Sequence, residues 1–175
     1  MPNKVALVTG GSRGLGRAIC TSLAGEGFDI AINYQGNAQA AEETRAACQA
    51  KGVRAEIFQA DVADYAATKQ MIEAVTGKLG GLYGVVANAG ITPGFGYVNE
   101  TDPETWRRVM DVNVNGVFNT LHAAASPLKA QGAGRIVAIS SLATRYFNPG
   151  FGPYAASKAA VQGLVAVMGR EMAQW

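Results

Sequence analysis

The feature that most constrains the fold is an alternation. Five short apolar runs, at residues 4–9, 28–33, 53–59, 82–87 and 135–140, each give way to a longer stretch with helical periodicity. The helical stretches are read at 15–26, at 38–51, from Asp64 to about Lys78, from Asp102 to about Gln131, and at 153–173. The first run is nearly continuous in Val, Ala and Leu, which predicts a strand covered on both faces. Strand and helix alternating through short connections predict βαβ units, right-handed crossovers and one parallel sheet. The expected class is therefore α/β, a doubly wound parallel sheet in a single domain.

Local signals sharpen the boundaries. Gly27 and Gly52 close the first two helices, and Asp64 is placed to cap the third. Asp102-Pro103-Glu104 reads as a helix start, with the cap before a proline at the first helical position. The pattern from there to Gln131 is too long for one ordinary helix, so two are expected, joined near 111–115. The 175 residues are enough for one buried core. With 49% hydrophobic and 16% charged residues, the chain reads as globular rather than disordered. A net charge of +2 is too small to argue for nucleic acid or an anionic membrane as partner. Cys20 and Cys48 fall singly inside helical patterns, without metal spacing, which favours a reducing, cytoplasmic setting over a disulfide framework. The N-terminus runs straight into the first strand, so no secretory leader is expected, and no stretch approaches a membrane span.

Between the first strand and the first helix lies Thr9-Gly10-Gly11-Ser12-Arg13-Gly14-Leu15-Gly16. Glycines there let the backbone turn sharply and approach a pyrophosphate, whose charge meets the free N–H groups of the helix start. Gly10-x-x-x-Gly14-x-Gly16 differs from the G-x-G-x-x-G fingerprint but uses the same physics. The plain alternative is a turn needed only for tight strand–helix packing. An acidic residue ending the second strand would favour NAD(H) through the ribose 2′-hydroxyl. Here that strand ends Ile32-Asn33-Tyr34-Gln35, with no carboxylate, and Arg13 could hold a 2′-phosphate. Both features favour NADP(H), with NAD(H) the alternative.

Tyr154 and Lys158 stand at i and i+4 and share one helix face. A phenol with a pKa of ~10 is a poor acid–base catalyst at neutral pH, and a nearby ammonium favours its phenolate form. The spacing alone occurs by chance in many helices. In company it is specific. Thr-Gly-x-x-x-Gly-x-Gly after the first strand, Asn88-Ala89-Gly90 after the fourth, Ser140-Ser141 after the fifth and Tyr154-Ala-Ala-Ser-Lys158 form an ordered set. The chain resembles the short-chain dehydrogenase/reductase family from residue 4 to its end.

The resemblance implies a Rossmann-type sheet and hydride transfer between a nicotinamide dinucleotide and a carbonyl or alcohol. Tyr154 matches the general acid/base. Lys158 matches the residue that holds the nicotinamide ribose and favours the phenolate. Ser141, thirteen residues before Tyr154, matches the serine that bonds the substrate oxygen, with Ser140 the alternative if the register slips by one. Asn113 matches the asparagine that disrupts its helix and holds a relay water, with Asn115 the weaker candidate. Asn88, with Ala89 and Gly90, matches the motif beside the cofactor, and Asp61-Val62 the pair at the adenine. Gly10, Ser12, Arg13, Gly14, Leu15, Gly16 and Asn33 complete the expected cofactor site.

His122, on a long helix among alanines, reads as packed or solvated rather than catalytic, and Trp106 and Phe118 sit at helical spacings that suit packing. Loops 93–97 and 146–151 are expected to border the substrate pocket. Full members of the family continue with a sixth strand, a substrate lid and a seventh strand, so the chain reads as C-terminally short. Either a partner covers the flank of the fifth strand or the chain is a fragment, and the family implies a homodimer or homotetramer formed through the long helices. The expected substrate is a ketone, an aldehyde or a 3-oxoacyl thioester. Carrier-protein reductases set basic residues beside the pocket, where this chain has Trp175 and only Lys129, so that specificity draws little support. A dinucleotide-binding module with little or no turnover is the second reading. A dehalogenase-like relative without nicotinamide is disfavoured by the intact glycine loop.

Overall fold

A computed structural model describes residues 4–174. Strands β1 (Val5–Val8), β2 (Asp29–Tyr34), β3 (Ala55–Gln59), β4 (Gly84–Ala87) and β5 (Arg135–Ala138) form one parallel sheet in the order β3-β2-β1-β4-β5. Because successive strand residues face opposite sides, Ala6 and Val8 pack with Ile30 and Ile32 on one face. That face is covered by α1 (Gly14–Gly25) and α2 (Ala38–Gln49), through Cys20, Ala24 and Cys48. Val5, Leu7 and Ala31 point the other way, against α3 (Tyr65–Leu79), α5 (Gly116–Gln131) and α7 (Gly152–Met172). Leu7 is fully buried, and replacing such a leucine by alanine typically costs about 2–5 kcal/mol. The doubly wound single-domain sheet is the one the alternation predicts.

The chain steps outward from β1 to β3 and then crosses to β4. The order thus reverses beside β1, and the C-terminal ends of β1 and β4 frame the crevice where open sheets of this kind place a ligand. Asp64 caps α3 by accepting from Ala67 N–H at 3.0 Å. Asp102 caps α4 (Pro103–Met110) by accepting from Thr105 N–H at 3.0 Å, which holds its carboxyl below the usual range.

The stretch 103–131 forms two α-helices joined at 111–115, as the sequence predicts, although the join is itself helical, and two further features differ from the sequence reading. α4 runs through a π-helical turn at Asp111–Asn115 directly into α5, and that widened turn buries Val112 and Asn113. α6 (Ala143–Tyr146) occupies part of what reads as an irregular loop, being too short to show periodicity. Trp106 and Phe118 are not core residues. The buried stripe of α5 runs through Val117, Leu121, Ala124 and Leu128, and Phe118, one step round the helix, is 47% exposed.

His122 shares a 3.0 Å hydrogen bond with the Tyr65 hydroxyl at the surface. β5 ends the sheet, with Val137 half exposed. Among the described residues no helix is long and apolar enough to cross a membrane. Trp175 lies outside the described residues.

Candidate active site

The phosphate loop is folded by its own backbone demands. Gly10 and Gly14 adopt left-handed φ values of 62° and 52°. At Gly16 any Cβ would overlap the Gly10 carbonyl, so the first turn of α1 can close on the loop only with glycine there. Asn88 ties this loop to β4. Its Nδ2 donates to Thr9 O at 2.8 Å and to Gly10 O at 3.3 Å, while Asn88 N–H and Ala89 N–H both donate to Thr9 Oγ1 at 3.0 Å.

The start of α1 has no capping side chain and no acidic residue in its first turn. Its first backbone N–H groups, which lack intrahelical acceptors, therefore form an electropositive floor. A Cβ at Gly14 would meet nothing within 4 Å, so the loop leaves open space above that floor. These residues fit the diphosphate of a dinucleotide.

A groove of about 630 Å³ runs from this loop along the strand ends. It brings together every residue assigned to the cofactor from the sequence except Tyr154 and Lys158, namely Gly10, Ser12–Gly16, Asn33, Asp61, Val62 and Asn88–Gly90. Asn33 contributes mainly by shaping the loop. Its side chain is buried, accepts from Gly10 N–H at 3.1 Å and donates to Ala60 O at 3.0 Å. Asp61 accepts from Ala63 N–H, from Gln35 Nε2 at 2.8 Å and from Arg108 Nη2 at 3.3 Å. Arg13 is exposed at the groove's edge and forms no ion pair among the described residues.

Arg17 escaped the sequence reading, because an arginine on an amphipathic helix looks solvated. Its guanidinium donates to Ser12 O at 3.0 Å, Ala40 O at 3.0 Å and Thr44 Oγ1 at 2.9 Å, and pairs with Glu43. It thereby fastens the phosphate loop to α2.

The second half of the site is built by α7. Lys158 is 3% exposed, and burial pulls its ammonium below the usual lysine range. Its Nζ donates to Ile139 O at 2.7 Å, just past β5, and lies 5.8 Å from the centre of the Tyr154 ring. The two side chains thus lie near each other on one face of α7. Gly90 closes against this lysine. A Cβ there would sit 3.4 Å from Nζ and 3.2 Å from Asn113 Oδ1.

Asn113 is fully buried in the π-helical turn. It accepts Ile91 N–H at 2.8 Å and donates from Nδ2 to Ile91 O at 2.9 Å and to Ser157 Oγ at 3.0 Å. Asn115 instead bonds Asp111 on the same helical segment. The two adjacent serines have different partners. Ser140 Oγ donates to Lys158 O at 3.3 Å and accepts from Gln162 Nε2 at 3.0 Å. Ser141 Oγ accepts Ala143 N–H at 3.1 Å, an arrangement that leaves its own proton to be donated.

Loops 93–97 and 146–151 meet. Gly96 N–H donates to Gly150 O at 3.2 Å, the Phe95 ring occupies the space a Gly150 side chain would need, and Phe95 packs edge-on against Phe151.

Comparison with known proteins agrees with this geometry. The chain is 42% identical over 170 residues to 3-oxoacyl-[acyl-carrier-protein] reductase FabG of Staphylococcus aureus, covering 97% of this chain and 69% of that protein. It is 38% identical to an Arabidopsis thaliana protein described as an NADPH-dependent aldehyde reductase-like protein, covering 98% of this chain and 68% of the relative. The crystal structure of NAD+-bound xylitol dehydrogenase superposes with a TM-score of 0.95 at 31% identity, over 99% of this chain and 66% of that one. With the short chain dehydrogenase family model matching residues 4–175, the chain belongs to the short chain dehydrogenase family.

Proposed function

We propose that this chain is an oxidoreductase acting between NADP(H) and a carbonyl or alcohol substrate, a ketone or 3-oxoacyl thioester. The observation that carries the proposal is the placement of Lys158 beside the Tyr154 ring and against Gly90, a residue of the groove that begins at the glycine loop. A bound nicotinamide supplies or accepts the hydride. Tyr154 donates its phenolic proton to the substrate oxygen during reduction and takes it back during oxidation. Ser141 bonds the same oxygen. It suits that task better than Ser140, whose proton is committed to the Lys158 carbonyl. Lys158 favours the phenolate and holds the ribose of the cofactor. Asn113, in a turn where helical hydrogen bonds are widened, supports a relay water.

NADP(H) is preferred in this reading because Arg13 is exposed and without an ion pair at the groove's edge, and Gln35 stands where an acidic residue would favour NAD(H). The relatives' own descriptions name both cofactors, so the proposed preference rests on the loop residues. A homo-oligomer formed through α5 and α7, in a reducing cytoplasmic setting that suits two free buried thiols, completes the proposal. A monomeric mass at micromolar concentration contradicts the oligomer.

The test is NADPH and NADH binding by fluorescence, followed by consumption of reduced nicotinamide with a panel of ketones and a 3-oxoacyl thioester. Tyr154→Phe abolishes turnover and keeps NADPH binding in this reading. Turnover retained in that variant overturns it. Binding without turnover in the parent selects the second reading, a dinucleotide-binding module.

A further inference from the structure

We propose that Ser157, which lies between Tyr154 and Lys158 on α7, is a positioning residue that couples Asn113 and the β4 loop to the backbone of Tyr154. The inference rests on the functional reading above. Ser157 is fully buried. Its Oγ accepts from Asn113 Nδ2 at 3.0 Å and donates to Tyr154 O at 2.7 Å. Asn113 in turn clasps both sides of Ile91, accepting its N–H at 2.8 Å and donating to its carbonyl at 2.9 Å. One hydroxyl therefore joins the loop that follows Asn88-Ala89-Gly90, the π-helical turn and the first turn of the catalytic helix.

The chemistry of the bonds makes the connection directional. A serine hydroxyl has one proton, and here it is given to the Tyr154 carbonyl, so the oxygen's remaining role is to accept from Asn113. Asn113 Nδ2 has two hydrogens, and Ile91 O and Ser157 Oγ take both. Removing Ser157 Oγ leaves one of those hydrogens unpaired in a buried place, where such a group is costly. The asparagine then turns or shifts, and with it the Ile91 peptide. Gly90, next to Ile91, leaves no more than van der Waals room before Asn113 Oδ1 and Lys158 Nζ, since a Cβ there would meet both. The movement therefore reaches the segment that lies against Lys158, the cationic partner of Tyr154. A helical serine bonding the carbonyl three residues back looks like local capping, which is why the sequence offers no sign of the role.

The test compares Ser157→Ala with Ser157→Thr, whose hydroxyl can make the same bond to the i−3 carbonyl. Two readouts are used: turnover of a ketone by the NADPH-loaded protein, and amide hydrogen exchange of Ile91 in the protein without cofactor. Ser157→Ala is expected to lower kcat at least about tenfold, with KM within about threefold and NADPH affinity within about twofold, the mark of misplaced chemistry rather than lost binding. Ile91 exchange is expected to quicken by at least about tenfold. Ser157→Thr restores both to within about threefold of the parent.

Unchanged kcat and unchanged Ile91 exchange in Ser157→Ala overturn the proposal, and so does a loss that Ser157→Thr fails to rescue. If Ser157→Ala does not fold, Ser157→Cys replaces it, with similar volume and a much weaker hydrogen bond. The same two losses support the role and their absence overturns it. Tyr154→Phe is measured alongside. If it is inactive while Ser157→Ala is fully active, only the role of Ser157 is lost. If it remains active, the functional reading fails, and Ile91 exchange alone decides whether Ser157 couples these elements.

Discussion

Lys158 Nζ and the carbonyl of Ile139 are 2.7 Å apart, so α7 is fastened to the end of β5 by the same ammonium that faces Tyr154. Burial draws this lysine below its usual range. Its charge is therefore lost at a lower pH than that of an exposed lysine, and the chemistry assigned to Tyr154 needs that charge. The alkaline limb of the kcat profile is expected below the ordinary lysine value of ~10.4. A pH–rate profile flat through that value contradicts the assignment. Lys158→Met keeps much of the apolar stem and removes the charge, and is expected to lower kcat by about a hundredfold or more.

Gly16→Ala places a methyl group on the Gly10 carbonyl, so the loop or the helix start must move. The expected cost is about 1–3 kcal/mol in urea unfolding, together with loss of measurable NADPH binding. Gly14→Ala meets open space but inherits a left-handed φ of 52°, so only about 1–2 kcal/mol is lost. Equal effects on binding in the two variants would argue against a cradle shaped around Gly16.

Arg13→Ala separates cofactor choice from stability. The guanidinium is exposed and forms no ion pair among the described residues, so stability is expected to stay within about 0.5 kcal/mol. The preference for NADPH over NADH, measured by fluorescence titration, is expected to fall at least about tenfold as the charged hydrogen bonds to a 2′-phosphate disappear. An unchanged ratio removes Arg13 from the specificity argument.

Cys20 and Cys48 are free and buried where α1 and α2 pack on the sheet. Burial pushes the Cys48 thiol up to about 11 and raises Cys20 as well. Above the ordinary thiol value of about 9, the unfolded chain gives up protons that the folded chain keeps. Stability from this source is thus complete below about 9 and lost as pH rises through about 11. Urea unfolding at neutral and alkaline pH is expected to show a smaller alkaline loss in Cys48→Ala than in the parent. The native thiols should also stay unreactive to a disulfide reagent until unfolding. An identical alkaline slope in the variant contradicts the burial argument.

Gly150→Ala forces the Phe95 ring from its seat and separates the two aromatic loops. KM is expected to change across a ketone panel while NADPH affinity does not, since these loops lie outside the cofactor groove. Phe147→Ala tests the same wall from an exposed residue held at a φ of 48°. No KM change for any substrate in either variant removes the loops from the pocket.

The sequence by itself determined the sheet and the glycine loop that follows its first strand. Apolar runs of strand length between helical patterns leave few options for burying both kinds of surface, and a parallel sheet with helices on both faces is the simplest. Gly10, Gly14 and Gly16 were legible because their backbone requirements are local. Helix geometry puts Tyr154 and Lys158 on one face, and the ordered set of motifs that resembles the family marks the pair out.

The tertiary structure decided what depends on contacts between distant segments. Asn113 and Asn115 are equivalent as letters, and only the π-helical turn buries the first and sends the second to Asp111. Ser140 and Ser141 differ because one hydroxyl meets the Lys158 carbonyl and the other does not. Arg17 looked like a solvated helix residue until α2 was packed beside it, and Trp106 and Phe118 looked like core until the helix faces were fixed. The physical reason is common to all of them. A backbone requirement belongs to a residue and its neighbours in sequence, whereas a hydrogen-bond partner or a buried face belongs to a place, and the place exists only once the chain has folded.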